Sequence, residues 1–257
     1  MKNIKIYSVL GILTSLIFLG LYVYRWEYRK PVLDVYFFSL NRGRAIFIRT
    51  PENKTILVGG GQNSEVIREL TKAMPFYRRT LDTIIIPSAV PAQIGGLIEV
   101  IDRYEVGEII MPNIMATSTV LIELLKEIRK KKIHTEEVTR GDEIEIEKDL
   151  TLKILFPYKE FKFNKTSLPE LGLALNYKNT NAYLIGNLSK TIQKDILKNT
   201  EINQSENIVE FYNSMTESKI SSELVEKIDP QFTFSTKEKT TRVSSDGKVW
   251  RKLDSTR

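Results

Sequence analysis

The spacing of apolar residues divides the chain into a series of predicted strands and helices. Short runs rich in β-branched and aromatic residues at 32–38, 44–50 and 55–58 predict three strands. The apolar positions of 64–74 recur at the spacing of an amphipathic helix. A continuous apolar run at 81–87 predicts a buried strand, which ends at a proline. The first part of the body is therefore strand-rich, with one helix before the fourth strand.

Beyond residue 87 the pattern alternates between helix and strand, becomes strand-rich, and then alternates again. Helices are predicted at 92–104, 118–132, 189–199 and 221–228, and strands at 106–112, 133–138, 143–147, 150–157, 172–178, 181–186, 207–212, 231–236 and 246–253. Two sheets that are covered on the outside by helices accommodate this order. We therefore predict an α/β (α+β) fold, in the form of a four-layer αββα sandwich.

The N-terminal segment has the pattern of a membrane anchor. Nineteen residues without a charge, Ile6 to Tyr24, reach about 28 Å as a helix, which matches the hydrocarbon core of a bilayer. No small-residue cleavage site follows, so we expect an uncleaved, single-pass transmembrane helix. Residues 1–30 are assigned to the anchor and a short juxtamembrane segment, and residues 31–257 to one domain. We expect a cell-membrane protein whose domain lies on the extracytoplasmic side.

The positive charge of the chain is concentrated at its two ends. The sequence has 38 Lys and Arg against 32 Asp and Glu, a net charge of +6. Residues 1–30 hold five basic residues against one acidic, and residues 237–257 hold seven against three, whereas 31–236 hold 26 against 28. This distribution gives little support for a nucleic-acid partner and leaves a protein partner open. The basic end, 237–257, could contact lipid headgroups or nucleic acid, but we favour a solvated tail.

The composition restricts the chemistry that the chain can perform. It contains no cysteine, which excludes disulfides, thiolate metal sites and a cysteine nucleophile. His134 is the single histidine, so no zinc site can be built from two or three imidazoles. Any metal site in this chain has to be made from oxygen ligands and at most one imidazole.

Several strings in the body match a known pattern in order and spacing. They are FFSLNRGRAIFI at 37–48, KTILVGGG at 54–61, SAVPAQIGG at 88–96 and NAYLIGNLSK at 181–190. Together they resemble the metallo-β-lactamase fold superfamily and, within it, the hydrolase-like domain of ComEC-type competence proteins and their membrane-anchored relatives. The likeness extends over about residues 32–236. It implies the same four-layer sandwich that the element order predicts.

The residues that bind metal in this family have no counterpart here. Members hold zinc or manganese with an H-x-H/D-x-D-H loop, a further histidine and an aspartate that follows T-G. The matching positions in this chain are Ser88, Val90, Ala92, Gln93, Asn187, Asn213 and Ser214. Each is neutral or apolar, whereas a bound dication needs several converging charged or imidazole ligands. We therefore expect no metal cofactor and no residue with the family's catalytic role.

Two arginines fall where the resemblance places the former metal cleft. Arg44 replaces the aspartate of the family's Q-G-D string, and Arg42 stands beside it. With Ser88, Gln93 and Asn187 they form a candidate cleft for an anion or another ligand. The sequence thus predicts a membrane-anchored binding or scaffolding pseudoenzyme. The alternative is a hydrolase of the phosphodiester or nucleic-acid type with a non-standard metal site, for which converging Asp and Glu side chains would be evidence.

Overall fold

The chain consists of two units, and the larger one carries the body of the protein. The structure is a computed structural model that describes residues 11–22, 32–114, 118–161, 170–202, 205–211, 220–235 and 239–253. The two units are Met1–Pro31 and Val32–Arg257. The first contains helix α1, residues 11–22. Within the described residues, no helix has both the length and the apolar character needed to cross a membrane. The predicted anchor, 6–24, lies partly outside those residues.

The larger of the two sheets has eight strands and combines the beginning and the end of the body. Its strands are β1 (Leu33–Phe38), β2 (Ala45–Arg49), β3 (Thr55–Val58), β4 (Thr80–Ile85), β5 (Glu105–Pro112), β6 (His134–Val138), β13 (Thr241–Ser245) and β14 (Trp250–Leu253). Their order is β14-β13-β1-β2-β3-β4-β5-β6. The pairs from β14 to β3 are antiparallel, and those from β3 to β6 are parallel.

The second sheet has six strands, all from the later half of the chain. They are β7 (Glu143–Glu147), β8 (Leu150–Phe156), β9 (Gly172–Tyr177), β10 (Thr180–Gly186), β11 (Glu206–Phe211) and β12 (Phe232–Ser235). Their order is β12-β11-β10-β9-β8-β7. Because β10, β11 and β12 run parallel while β7 to β10 are antiparallel, this sheet is mixed, like the first.

Five helices of the body cover the outer faces of the two sheets. They are α2 (Glu65–Ala73), α3 (Pro91–Arg103), α4 (Thr119–Lys131), α5 (Lys190–Asn199) and α6 (Ser222–Ile228). The hydroxyl groups of Ser118, Ser189 and Ser221 accept backbone N–H groups at the starts of α4, α5 and α6. The first three helices pack on the eight-stranded sheet, and the other two on the six-stranded sheet. A third apolar cluster lies between the sheets.

The alternation of side chains along β1 shows how one strand serves two layers. Leu33, Val35 and Phe37 belong to the cluster between the sheets, whereas Tyr36 and Phe38 pack with the helices on the outer face. Successive side chains of a strand point to opposite faces, so an apolar run supplies both cores at once. This accounts for the strongly apolar strands that the sequence shows.

The C-terminal end departs from the expectation. Residues 241–245 form β13, which the sequence pattern did not predict, and it pairs with β1. Val243 and Trp250 are buried between the sheets, and the indole N–H of Trp250 donates to the carbonyl of Glu206 at 3.1 Å. The expectation of a solvated tail is therefore wrong for residues 241–245, whereas the strand expected at 246–253 contains β14. Burial of a valine and a tryptophan outweighs the solvation of the surrounding basic residues.

Candidate functional site

The candidate site lies where the ends of strands from both sheets meet. Arg44 stands directly before β2, and the segment after β4 leads through Ser88 into α3. The backbone N–H of Leu171, just before β9, donates to the carbonyl of Pro87 at 2.7 Å. This hydrogen bond joins the two sheets at the point where the resemblance places the metal cleft of the family.

The guanidinium of Arg44 occupies the centre of this site and is fully buried. Its Nε lies 2.8 Å from Oε2 of Glu170, and its Nη1 binds Oε2 of Glu210. Arg44 borders a strand of the eight-stranded sheet, whereas the two glutamates border or lie in strands of the six-stranded sheet. One arginine thus connects the two sheets through two carboxylates. We call Arg44, Glu170, Glu210 and the adjoining Gln93 the arginine centre.

Gln93 closes this network from the side of helix α3. Its Oε1 accepts the backbone N–H of Arg44 at 3.3 Å, and its Nε2 donates to Oε1 of Glu170 at 2.6 Å. Pro91 begins the helix, which sets Gln93 in the first turn with its amide directed into the protein. Both ends of the Gln93 amide are therefore engaged in the network around Arg44.

Two glycines keep the space around Arg44 free of side chains. Gly186 has φ +56°, and a Cβ there would lie 2.3 Å from Oε2 of Glu170 and 2.8 Å from Nη2 of Arg44. Gly43 has φ +79°, and a Cβ there would lie 1.6 Å from the carbonyl oxygen of Ala92. Both positions combine a left-handed backbone with close contact, so only glycine fits.

The charges in the arginine centre do not balance by themselves. Burial raises the pKa of Glu170, and the nearby Glu210 raises it further, while Arg44 opposes both effects. Burial also disfavours the charge of Arg44, but the two carboxylates outweigh it and raise its pKa, so the guanidinium stays charged. The charged guanidinium of Arg44 therefore lies between two carboxyl groups, and the pKa of one of them, Glu170, is raised.

Some polar atoms of the site have no hydrogen-bond partner among the described residues. They are Nη2 of Arg44, Oε1 of Glu210 and Oδ1 of Asn187, and all three are buried. Unsatisfied buried polar atoms cost free energy, and they often mark a place of function in a native protein. The site is thus held together by charge, and its hydrogen-bonding capacity is not exhausted.

Among the positions that correspond to the family's metal ligands, those that the structure describes offer no metal site. Ser88 is buried, and its Oγ accepts the backbone N–H of Val90 at 3.2 Å, while Val90 and Ala92 have no donor atom. Asn213 and Ser214 lie outside the described residues. Within the residues that are described, no group of three or more His, Asp and Glu side chains is placed to hold a metal ion. The residues present do not fit the family's zinc or manganese.

The candidate cleft of the sequence analysis is brought together only in part. Arg44, Ser88, Gln93 and the buried Oδ1 of Asn187 lie at the site, whereas Arg42 is exposed. The guanidinium of Arg44 is already paired with two carboxylates, so anion binding in the cleft stays a prediction.

Sequence reasoning missed Glu170 and Glu210. Each is an acidic residue next to or within an apolar strand, Glu170 before LGLAL and Glu210 in NIVEF. A charged residue at such a position is seldom buried without a partner. Arg44, a basic residue that directly precedes the apolar string AIFI, is the corresponding sequence signal for a positively charged partner.

Comparisons with known proteins establish the fold of the body. No family profile matches the chain, and no curated protein is similar to it in sequence. Among solved structures, CmlA, a diiron β-hydroxylase from Streptomyces venezuelae, superposes with a TM-score of 0.50 at 14% identity, over 79% of this chain and 44% of that one. The body has a metallo-β-lactamase-like fold. The chain spans less than half the length of CmlA.

Two further solved structures match the chain with lower TM-scores. A diphosphatase of the PhnP family has a TM-score of 0.45 at 10% identity, over 76% of this chain and 72% of that one. A long-form RNase Z from yeast has a TM-score of 0.47 at 9% identity, over 70% of this chain and 32% of that one.

Proposed function

We propose that this protein is a membrane-anchored, ComEC-like pseudoenzyme, which uses a metallo-β-lactamase-like body for binding or scaffolding. The observation that carries this proposal is the pairing of Arg44 with Glu170 and Glu210. A permanent cation of the chain itself stands in the cleft and pairs with the two carboxylates that converge there. Such a group holds the two sheets together but cannot activate water as a metal ion does.

The alternative function, a hydrolase with a non-standard metal site, has one observation in its favour. Glu170 and Glu210 do converge in the cleft, as that function requires. Both carboxylates, however, are almost completely buried and face the guanidinium of Arg44. A dication at this place would meet the positive charge of Arg44 at close range, which opposes its binding. The pseudoenzyme is therefore the better supported of the two.

The membrane anchor and its orientation belong to the same proposal. The uncharged run from Ile6 to Tyr24 supports a single-pass helix, and the length of the body is compatible with export to the extracytoplasmic side. A protein partner at the membrane fits a body that has lost its metal ligands. The charge excess near the ends of the chain leaves nucleic acid as a weaker candidate.

Metal content is the measurement that tests the proposal. The full chain is purified in detergent, exposed to Zn²⁺ and Mn²⁺, desalted and analysed by elemental mass spectrometry. We expect far less than one ion per chain, and no rise of the unfolding temperature when either ion is added. About one or two tightly held ions per chain would refute the pseudoenzyme if they disappear in the Glu170→Gln variant. Ions that the variant retains lie elsewhere on the protein and leave the proposal intact.

A further inference from the structure

Two aromatic side chains stand out on the surface of the body. Phe76 is 88% exposed and Tyr77 67% exposed, and they are adjacent residues in the segment between α2 and β4. Their rings contact each other edge to face, with 5.5 Å between the centroids. Single exposed apolar residues are ordinary, but an adjacent, almost fully exposed aromatic pair is typical of an interaction site.

The backbone that carries this aromatic pair is held in place on its C-terminal side. Arg78 donates to the carbonyl of Asn53 at 2.6 Å and pairs with Asp82 at 2.8 Å. The guanidinium of Arg79 lies 5.8 Å from the centre of the Tyr104 ring. The two arginines turn back onto the body while the two aromatic rings remain in solvent. The exposure of Phe76 and Tyr77 is therefore a feature of an ordered segment.

The aromatic pair lies at the edge of the eight-stranded sheet where the body begins. In the antiparallel register Asp34 of β1 is opposite Arg49 of β2, and Arg49 is opposite Thr55 of β3. The starts of β1 and β3 therefore share one edge, and the bond from Arg78 to Asn53 attaches the aromatic segment to it. We call this the start edge. The arginine centre lies at the opposite edge, where Arg44 precedes β2.

The start edge is also where the chain arrives from the predicted anchor. Eight residues, 25–32, separate the uncharged run from β1. Fully extended, a chain of eight residues spans at most about 29 Å, so the tether between the apolar run and β1 is short. A short tether of this kind turns a weak surface contact into an intramolecular one with a high effective concentration.

From these observations we infer that Phe76 and Tyr77 enter the headgroup region of the lipid bilayer to which the N-terminal segment attaches the chain. The inference rests on the proposed membrane anchor. Aromatic side chains are favoured at this depth because the ring is apolar while the phenol of tyrosine can still reach water. The aromatic pair acts as a second contact, which fixes the orientation of the start edge toward the lipid.

The absence of cysteine allows a direct test. Phe76→Cys and, as the control, Ile122→Cys each introduce a unique thiol at an exposed position, since Ile122 is 51% exposed on α4. Each full-length variant is labelled with an environment-sensitive fluorophore and reconstituted into vesicles of phosphatidylethanolamine and phosphatidylglycerol. We expect emission at shorter wavelength for the label at 76 and several-fold stronger quenching by lipid-borne quenchers than at 122.

A second variant keeps the aromatic pair intact. Glu52→Cys places the label in the exposed turn at the start edge, and its shift to shorter wavelength is expected to disappear when Phe76→Ser and Tyr77→Ser are added. Flotation of the vesicles distinguishes a failure of the proposed membrane anchor from a failure of the proposed contact between the aromatic pair and lipid. A chain that does not float with vesicles overturns the anchor itself. If the chain floats but its labels at 76 and 122 are quenched equally by the lipid-borne quenchers, this inference alone is overturned. It is also overturned if the emission of the label at 76 shifts to shorter wavelength without lipid quenching, because that result indicates a protein contact.

Discussion

The body contains two arginine–carboxylate clusters of inverted composition. In the arginine centre one cation, Arg44, faces two carboxylates, and all the side chains are buried. On the outer face of the eight-stranded sheet one buried carboxylate, Asp34, faces two cations, Arg49 and Arg242, which are 29% and 24% exposed. We call the second group the aspartate cluster. Each cluster contains three ionisable side chains, but only the aspartate cluster has side chains that are exposed to water.

The difference in exposure between the two clusters determines how the excess charge of each is compensated. The surplus positive charge of the aspartate cluster lies on side chains that water can solvate, and Ser244 adds a further hydrogen bond to Asp34. The surplus negative charge of the arginine centre has no such solvation, and burial together with the nearby Glu210 raises the pKa of Glu170. A buried, uneven cluster is thus sensitive to pH, whereas a partly exposed one is sensitive to salt.

The strongest test of this comparison removes the cation of the arginine centre. Arg44→Met leaves Glu170 and Glu210 buried without a counter-charge, so we expect the free energy of unfolding to fall by about 3–5 kcal/mol. Denaturant titration measures this value. The matched control, Arg49→Met, removes an arginine that is partly exposed, and we expect a loss of about 1 kcal/mol. Equal losses in the two variants would mean that burial does not distinguish the clusters.

A smaller effect is expected from the anion of the aspartate cluster. Asp34→Asn keeps the shape of the side chain but removes the charge that two arginines share, which should cost about 1–3 kcal/mol. Because Arg49 and Arg242 are exposed to solvent, high salt should reduce the difference in the free energy of unfolding between the variant and the wild type. Unfolding curves at low and high ionic strength provide the measurement. If the loss of unfolding free energy in Asp34→Asn is independent of salt, solvation of the two arginines does not compensate the excess charge of the cluster.

The smallest change in stability, but the clearest change in pH dependence, is expected for Glu170→Gln. A raised folded-state pKa means that Glu170 favours folding fully below its unfolded pKa of about 4.3, and that this contribution is lost as the pH rises through the folded pKa. Glutamine cannot ionise, so the free energy of unfolding of the variant should not decline in this way as the pH rises. Near pH 4 it should differ from that of the wild type by about 1 kcal/mol or less. Unfolding free energies between about pH 4 and pH 8 test this.

Glu143→Gln serves as the control for that experiment. Glu143 is 53% exposed and pairs with Lys153 on the surface. Its replacement should leave the pH profile of the wild type unchanged within about 0.5 kcal/mol. If Glu170→Gln retains the wild-type profile as well, the decline with pH does not come from a raised pKa of Glu170.

Most elements of the fold could be predicted from the sequence because the apolar pattern determines them. The expected strand at 55–58 coincides with β3, and the helix expected at 64–74 is α2, Glu65–Ala73. The strand β13 was missed because TRVSS has a single large apolar residue and depends on its pairing with β1. Its strand character comes from a partner that is far away in the sequence, which no local pattern reports.

The arginine centre was predictable in its position but not in its composition. The string around Arg44 located the cleft, and the resemblance placed Ser88 and Gln93 there. The two glutamates come from different strands of the other sheet, so their convergence on Arg44 depends on how the sheets are stacked. A local sequence pattern carries no information on that arrangement.

The pairing of β1 with β13 also has a consequence for the time course of folding. Asp34 and Arg242, which meet across these strands, are 208 residues apart in the chain. At a synthesis rate of 5–20 residues per second, β1 waits roughly 10–40 s for its partner to be made. One side of the first strand has no partner during that interval, so its backbone groups are exposed to pairing with another chain.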